Sequence, residues 1–246
     1  MATEAIPMLN RTDAMGRPTR NRLLSSIPEE EFRILHPLLE AVTLPRYQIL
    51  NEAGGAIECA YFLNEGMTSL VVVTRDEESV EVGIVGQEGI VGASIVAGLK
   101  RAAFRAIMQI PGAGLKISAE KFEEILPSLP DLRRRIHHFV LWQTLQVGQV
   151  AACNRLHEID QRLARWLLMC QDRVDSPTLP LTHEFLAQML GAGRPTVSLA
   201  CGRLENAGLI ENRRAALRIL DREQLEAVAC ECYAMIRTFS DWLGCE

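Results

Sequence analysis

The chain has 246 residues, 48% of them apolar and 23% charged, with a formal net charge of −5. That length admits one large domain or two ordinary ones, and the composition is that of a globular protein with a packed core. No run of eighteen apolar residues occurs, and the first twenty-one residues lack the apolar stretch of a signal peptide, so neither a membrane span nor secretion is expected.

Seven cysteines at irregular spacing point to a reducing cytoplasm. The acidic total argues against nucleic acid, but the charge is unevenly placed. Leu181 to Arg222 holds six arginines and four acids, and the remainder holds 20 basic and 27 acidic residues. A weakly basic C-terminal module on an acidic body is compatible with DNA binding.

Residues 1–20 read as a mobile arm. Residues 22–42 read as a short helix with an acidic first turn at Glu29, Glu30 and Glu31 and with Phe32, Leu35, Leu38 and Leu39 on one face. From Val42 to Ser118 short β-prone runs alternate with turn residues, and ten of the seventeen glycines fall between Gly54 and Gly114. Many short strands with glycine corners predict an antiparallel barrel or jelly roll.

Residues 119–126 return to helix. Asp131 to Glu158 then reads as one long helix with two apolar stripes. Ile136, Val140, Val147 and Ala151 make one stripe; Leu141, Leu145, Gly148 and Ala152 make the other. Two stripes need two partners. One is the β-rich domain; the other is the same helix of a second subunit or another part of this chain. A helix from Asp160 to Cys170 follows, and a Pro-containing loop leads to the sequence LTHEFLAQMLGAGRPTVSLACGRLENAGLI, Leu181 to Ile210.

Gly191-Ala192-Gly193 resembles a phosphate loop only superficially. A Walker loop needs Lys-Ser/Thr after its last glycine, and a dinucleotide fold needs a preceding strand. A helix-turn-helix accounts for more. Thr182 caps a helix with Phe185, Leu186, Met189 and Leu190 facing inward, the glycines supply the turn, and Pro195 suits the first turn of the next helix. There Val197, Ala200, Cys201 and Leu204 form the inner arc. Pro195, Thr196, Ser198, Leu199, Gly202 and Arg203 face outward. Two strands, Leu209–Asn212 and Ala216–Leu220, make a wing tipped by Arg213 and Arg214, and a last helix is capped by Asp221. An ordinary helical hairpin with a β-hairpin appended fits the same periodicity.

This stretch resembles the winged helix-turn-helix of the Crp–Fnr family of bacterial transcription regulators. GQEGIVG resembles that family's cyclic-nucleotide-binding barrel, and NRLHEIDQRLARWLL its hinge, with His157 and Glu158 at the bend. The resemblance covers residues 22–235 and implies an α+β chain: an N-terminal cyclic-nucleotide-binding-like β jelly roll (21–130), a dimerisation helix (131–158) and a C-terminal winged helix-turn-helix (159–246). It further implies a homodimer on a near-palindromic double-stranded DNA site and RNA polymerase as a partner. Arg194 matches the arginine that reads guanine, and Thr182 and Thr196 match backbone-contacting positions; His183 is grouped with them. Pro195 stands where the family commonly has Glu, and Leu199 where it often has Arg, which predicts an altered half-site.

The effector pocket departs further. Around Gly92, Ala93 and Ser94, Ala93 replaces the ribose-binding Glu, and Arg101-Ala102 or Arg105-Ala106 replaces the Arg-Ser/Thr pair. Tight cyclic-AMP binding is not expected, and an unknown small-molecule effector is left open. Trp142 faces either a partner or this pocket.

No cofactor, metal or catalytic constellation is expected. His137 and His138 point about 100° apart on a helix. Cys230 and Cys232 flank one residue on a helix and likewise diverge. Cys170 and Cys201 sit in apolar stripes, and a redox role for Cys59 or Cys153 has no support in the pattern. The rival to a DNA-binding regulator is a small-molecule or redox sensor whose C-terminal domain contacts proteins.

Overall fold

The computed structural model describes residues 11, 12, 16, 18–76, 79–174 and 176–243. Most of the expected arm lies outside them, but Arg11 is buried and donates to Ile27 O at 2.7 Å. The single helix expected over 22–42 is two. Asn21 caps α1 (Arg22–Ser26), accepting from Leu24 N–H, and Pro28 precedes α2 (Glu29–Leu35). The chain is extended at Ile27 and Pro28, which interrupts the helical ladder, and a strand already begins at Glu40.

Eight strands follow: β1 (Glu40–Leu44), β2 (Ile49–Asn51), β3 (Cys59–Leu63), β4 (Met67–Val73), β5 (Ser79–Val85), β6 (Ile90–Val91), β7 (Arg105–Ile110) and β8 (Gly112–Ser118). They pair antiparallel as two four-stranded sheets, β1-β8-β3-β6 and β2-β7-β4-β5, the arrangement of a jelly roll. Register follows side-chain alternation: buried Phe62 lies opposite buried Leu115, and half-exposed Tyr61 opposite Lys116. Phe62, Met67, Ile84, Met108 and Ile117 fill the interior.

Ser118 caps α3 (Ala119–Ile125), and α4 (Pro130–Leu156) is the long helix. Its start is capped from a distance. The buried carboxylate of Glu31 on α2 accepts from Asp131 N (2.8 Å) and Leu132 N (2.9 Å), satisfying N–H groups that have no partner within the helix. Leu132, Ile136, Phe139, Trp142, Gln146, Val150 and Cys153 form its buried seam. Phe139 sits on Gly89, where an added Cβ would lie 2.2 Å from the ring, so only glycine lets helix and barrel approach this closely.

The first apolar stripe is divided between the chain's own packing and the open face, where Ala151 lies. Ile136 is fully buried within the chain, and Val140 and Val147 border a cavity of the β domain. The seam is centred on Phe139, Gln146 and Val150, with Val140 and Val147 roughly a quarter turn away at 3.6 residues per turn. The open face instead carries Leu141, Thr144, Gly148, Ala151 and Ala152.

Beyond α4 come α5 (Ile159–Val174), β9 (Thr178–Leu179), α6 (His183–Leu190), α7 (Arg194–Asn206), β10 (Ile210–Arg213), β11 (Ala216–Ile219), α8 (Arg222–Val228) and α9 (Cys232–Leu243). The wing is a three-stranded sheet ordered β10-β11-β9. Asp221 caps α8 as expected, accepting from Gln224 N–H, but no single helix follows. Ala229 is extended (φ −62°, ψ 151°), which halts the hydrogen-bond ladder, so Cys230 and Cys232 lie around a turn and not on one helix.

α5 joins the two halves. Trp166 Nε1–H donates to Glu81 Oε1 on β5 at 2.6 Å, and Arg173 Nε pairs with Glu88 Oε1 at 2.8 Å. Glu81 is enclosed with Ser69, Trp166, Arg165 and Arg173. Burial pushes its carboxyl up to about 7, outweighing the opposing effect of the Ser69 and Trp166 hydrogen bonds and of the two arginines. Ser69 Oγ–H donates to one carboxyl oxygen and Trp166 Nε1–H to the other, and the buried group is stabilised while it stays neutral. Because the folded-state value is raised above 4.5, this stabilisation is fully present below that pH and is lost as pH rises through about 7. Glu81→Gln is nearly isosteric and does not titrate. The melting temperature of the wild type is expected to fall relative to that of Glu81→Gln between about pH 5 and pH 8; parallel curves would show that Glu81 does not titrate in this window.

Candidate nucleic-acid interface

Thr182 caps α6, its Oγ1 accepting from Phe185 N–H at 3.2 Å. Phe185, Leu186, Ala187, Met189 and Leu190 are buried, and Phe185 meets Trp166 edge to face at 5.9 Å between ring centres. Gly191 ends the helix in the left-handed region (φ 55°), where a side chain would be strained. Gly193 precedes α7, and Pro195 occupies its first turn, where the missing N–H leaves nothing unsatisfied. Val197, Ala200, Cys201 and Leu204 anchor α7; burial raises the Cys201 thiol to about 11, so it is a neutral core residue.

The opposite face of α7 presents Arg194, Pro195, Thr196 and Leu199, all exposed. Leu199 is 65% exposed, an apolar side chain of that size with nothing of its own chain over it. Arg194 Nε lies 3.6 Å from Glu184 Oε2, a surface pair that holds it only weakly.

Ser198 is less free. His183 bridges it to the wing: Nδ1 lies 3.0 Å from Ser198 Oγ, and Nε2 lies 3.1 Å from Asn212 Oδ1. The amide oxygen can only accept, which places the proton on Nε2 and leaves Nδ1 to accept from the serine. Asn212 in turn donates through N and Nδ2 to the Glu205 carboxylate, each at 2.8 Å, and these bonds lower the Glu205 pKa. Sequence reasoning placed Asn212 in the wing but missed this latch, whose members are 29 residues apart.

Arg203 shares the outward face but is gripped by Asp160 on α5, with two contacts of 2.6 Å. Arg213 pairs with Glu211 at 2.9 Å, and Arg214 is exposed at the wing turn. The helix-turn-helix also touches the jelly roll, where Gln188 Nε2 donates to Ser79 Oγ at 2.6 Å.

The residues expected around an effector separate into two groups. Gly92, Ala93 and Ser94 line a cavity of about 340 Å³ between the barrel and α4, bordered by Leu70, Phe104, Val140, Thr144 and Val147. Arg101 and Arg105 do not reach it. Arg101 Nη1 donates to Gly54 O at 2.6 Å, and Arg105 Nε pairs with Glu52 at 2.8 Å. Trp142 is likewise elsewhere. It lies on the far side of α4 from Thr144, its indole N–H donates to Ile236 O at 3.3 Å, and it borders a second cavity with Arg173, Arg222 and Tyr233. At the bend, His157 caps the C-terminus of α4, Glu158 is exposed, and α5 begins at Ile159.

Residues 161–228 match the model of the Crp-like helix-turn-helix domain. The chain is 26% identical over 189 residues to the global nitrogen regulator of Synechocystis sp., covering 72% of this chain and 82% of that protein. A CRP-family transcriptional regulator from Thermus thermophilus superposes with a TM-score of 0.63 at 20% identity, covering 76% of this chain and 96% of that one. A c-di-GMP-responsive global regulator from Xanthomonas campestris gives 0.65 at 14% identity, covering 79% and 100%. At such identities the solved structures share the fold, while the domain match carries the DNA-binding element. Residues 161–228 form a Crp-like helix-turn-helix domain, and the chain has the fold of the solved Crp/Fnr-type regulators it resembles.

Proposed function

We propose that the chain acts as a homodimer that reads a near-palindromic duplex through the first two turns of α7. The observation that carries this reading is the exposed set Arg194, Pro195, Thr196 and Leu199 at the N-terminal end of that helix. The guanidinium of Arg194 suits guanine O6 and N7. Thr196, Thr182, Arg213 and Arg214 supply backbone contacts, with His183 holding Ser198 and the wing in register. Arg203 contributes only if it leaves Asp160. Pro195 offers no acceptor to cytosine, and Leu199 offers apolar contact to a thymine methyl, so the half-site differs from the usual family consensus.

In this reading residues 21–130 are the effector-type domain, 131–158 the dimer helix and 159–246 the reading domain. The dimer seam is the open face of α4: Leu141 is about half exposed, and an added Cβ on Gly148 would meet nothing. Small residues there permit close helix approach. The cavity beside Gly92 is largely apolar and has no arginine, which disfavours cyclic AMP and leaves room for a different small effector. RNA polymerase is the further partner this reading implies, and the cytoplasm its compartment.

Arg194→Ala is expected to weaken binding to a selected duplex by about 1–3 kcal/mol, roughly five- to 150-fold, in fluorescence anisotropy at fixed salt. Salt-independent binding that the substitution leaves intact would favour a protein-contacting C-terminal domain. Selection from random duplexes should return a site unlike the family consensus; recovery of that consensus refutes the roles given to Pro195 and Leu199. Leu141→Glu, which places a carboxylate on the seam, should shift the protein from dimer to monomer in sedimentation velocity. A monomeric wild type would remove the dimer.

A further inference from the structure

Four side chains with metal-ligand chemistry converge where α4 ends. Cys153 and His157 stand four residues apart, on one side of the last helical turn. Cys230 and Cys232 come from the turn between α8 and α9, which brings both thiols back toward the bend. The four ligand atoms all lie within 4.8 Å of one another. Cys153 Sγ is 3.4 Å from Cys230 Sγ, and Cys232 Sγ is 3.5 Å from His157 Nδ1. All three thiols are buried.

These separations suit a single ion. Tetrahedral zinc with ligands at about 2.3 Å (S) and 2.0–2.1 Å (N) places neighbouring ligand atoms roughly 3.5–3.8 Å apart. A polynuclear cluster, whose thiolates bind different irons, needs them farther apart. A disulfide would use two of the thiols and leave His157 and the third without a role.

The surroundings point the same way. His157 Nε2 lies 3.2 Å from Glu231 Oε1. An ionised carboxylate only accepts, so Nε2 carries the proton and the Nδ1 lone pair faces the thiols, the arrangement of a metal-binding histidine oriented by a carboxylate. Gln149 Nε2–H donates to Cys232 Sγ at 3.1 Å. Arg165 is buried close enough to act electrostatically on Cys153, and its Nε has no hydrogen-bond partner among the described residues. Three thiolates around a divalent ion carry a net charge of −1, which would complement that buried cation.

We propose that Cys153, His157, Cys230 and Cys232 form a Cys3His site for one divalent ion of the zinc class, clasping the C-terminal segment to the bend between α4 and α5. Binding forms three metal–sulfur bonds and one metal–nitrogen bond. It releases three thiol protons to solvent and requires no oxidant or reductant.

The full-length protein, purified with a reductant, stripped with a chelator and dialysed against zinc(II), should retain one zinc per chain by elemental analysis. Cobalt(II) should give thiolate-to-metal charge-transfer absorption and tetrahedral d–d bands. Cys153→Ser and Cys232→Ser should lose both signals, while Cys59→Ser, on β3, keeps them. Should the cysteine variants fail to fold, Glu231→Gln retains all four ligands and is expected to weaken zinc 10- to 100-fold in chelator competition. Zinc content well below one per chain, a cobalt spectrum without thiolate bands, unchanged affinity in Glu231→Gln, or a Cys153–Cys230 disulfide in the reduced preparation would each overturn the site.

Discussion

The arrangement of this molecule depends on α5 being held against the jelly roll by polar groups that are out of water. Glu81 with Trp166 and Glu88 with Arg173 each link one strand region to one helix. Such contacts differ from apolar packing in an important way. Apolar burial is non-directional, whereas separating Arg173 from Glu88 leaves buried charges unpaired, at about 3–5 kcal/mol. The contacts therefore specify a position more than they add affinity. Because α6 packs through Phe185 onto Trp166, the same residue that meets Glu81 also sets where α6 lies.

α4 divides its circumference among three tasks. Phe139, Gln146 and Val150 bind it into the chain; Gln146 even accepts from Ile84 N at 3.0 Å, adding a backbone bond to the barrel. Val140, Thr144 and Val147 wall the barrel cavity, and Leu141, Gly148 and Ala152 remain uncovered. One helix can serve these roles because 3.6 residues per turn spread neighbours around its axis. The cavity wall and the open face are adjacent, with Thr144 between them, so a molecule filling the cavity would press on side chains next to those of the uncovered face.

The sequence made the large elements legible because their signals are local. Alternation and glycine corners marked most of the eight strands, an uninterrupted run of 27 residues marked α4, and Thr182, Gly191 and Pro195 marked the helix-turn-helix through capping and backbone rules. β6 and β9, at two residues each, are too short for a periodic pattern. Long-range choices were not legible either. Nothing near Arg101 or Arg105 indicates that Gly54 and Glu52 will occupy them, and nothing near Trp142 indicates that α9 will cover it. The convergence of Cys230 and Cys232 depends on one extended residue, Ala229, which has the intrinsic preference of a good helix former; tertiary context overrode that preference.

The bend between α4 and α5 is where these constraints meet. α4 carries the cavity wall and the uncovered face, α5 carries the buried contacts that position α6 and α7, and only His157 and Glu158 separate them. A change on one side reaches the other only if that junction has more than one arrangement and a ligand favours one of them. His157 is not free to vary alone, since Glu231 and Cys232 of the C-terminal segment hold its ring from two sides, and α9 then runs back along α4 to Trp142. Bending the junction therefore requires the C-terminal segment to move with it. Whatever strengthens or loosens that segment's grip acts directly on the angle between α4 and α5.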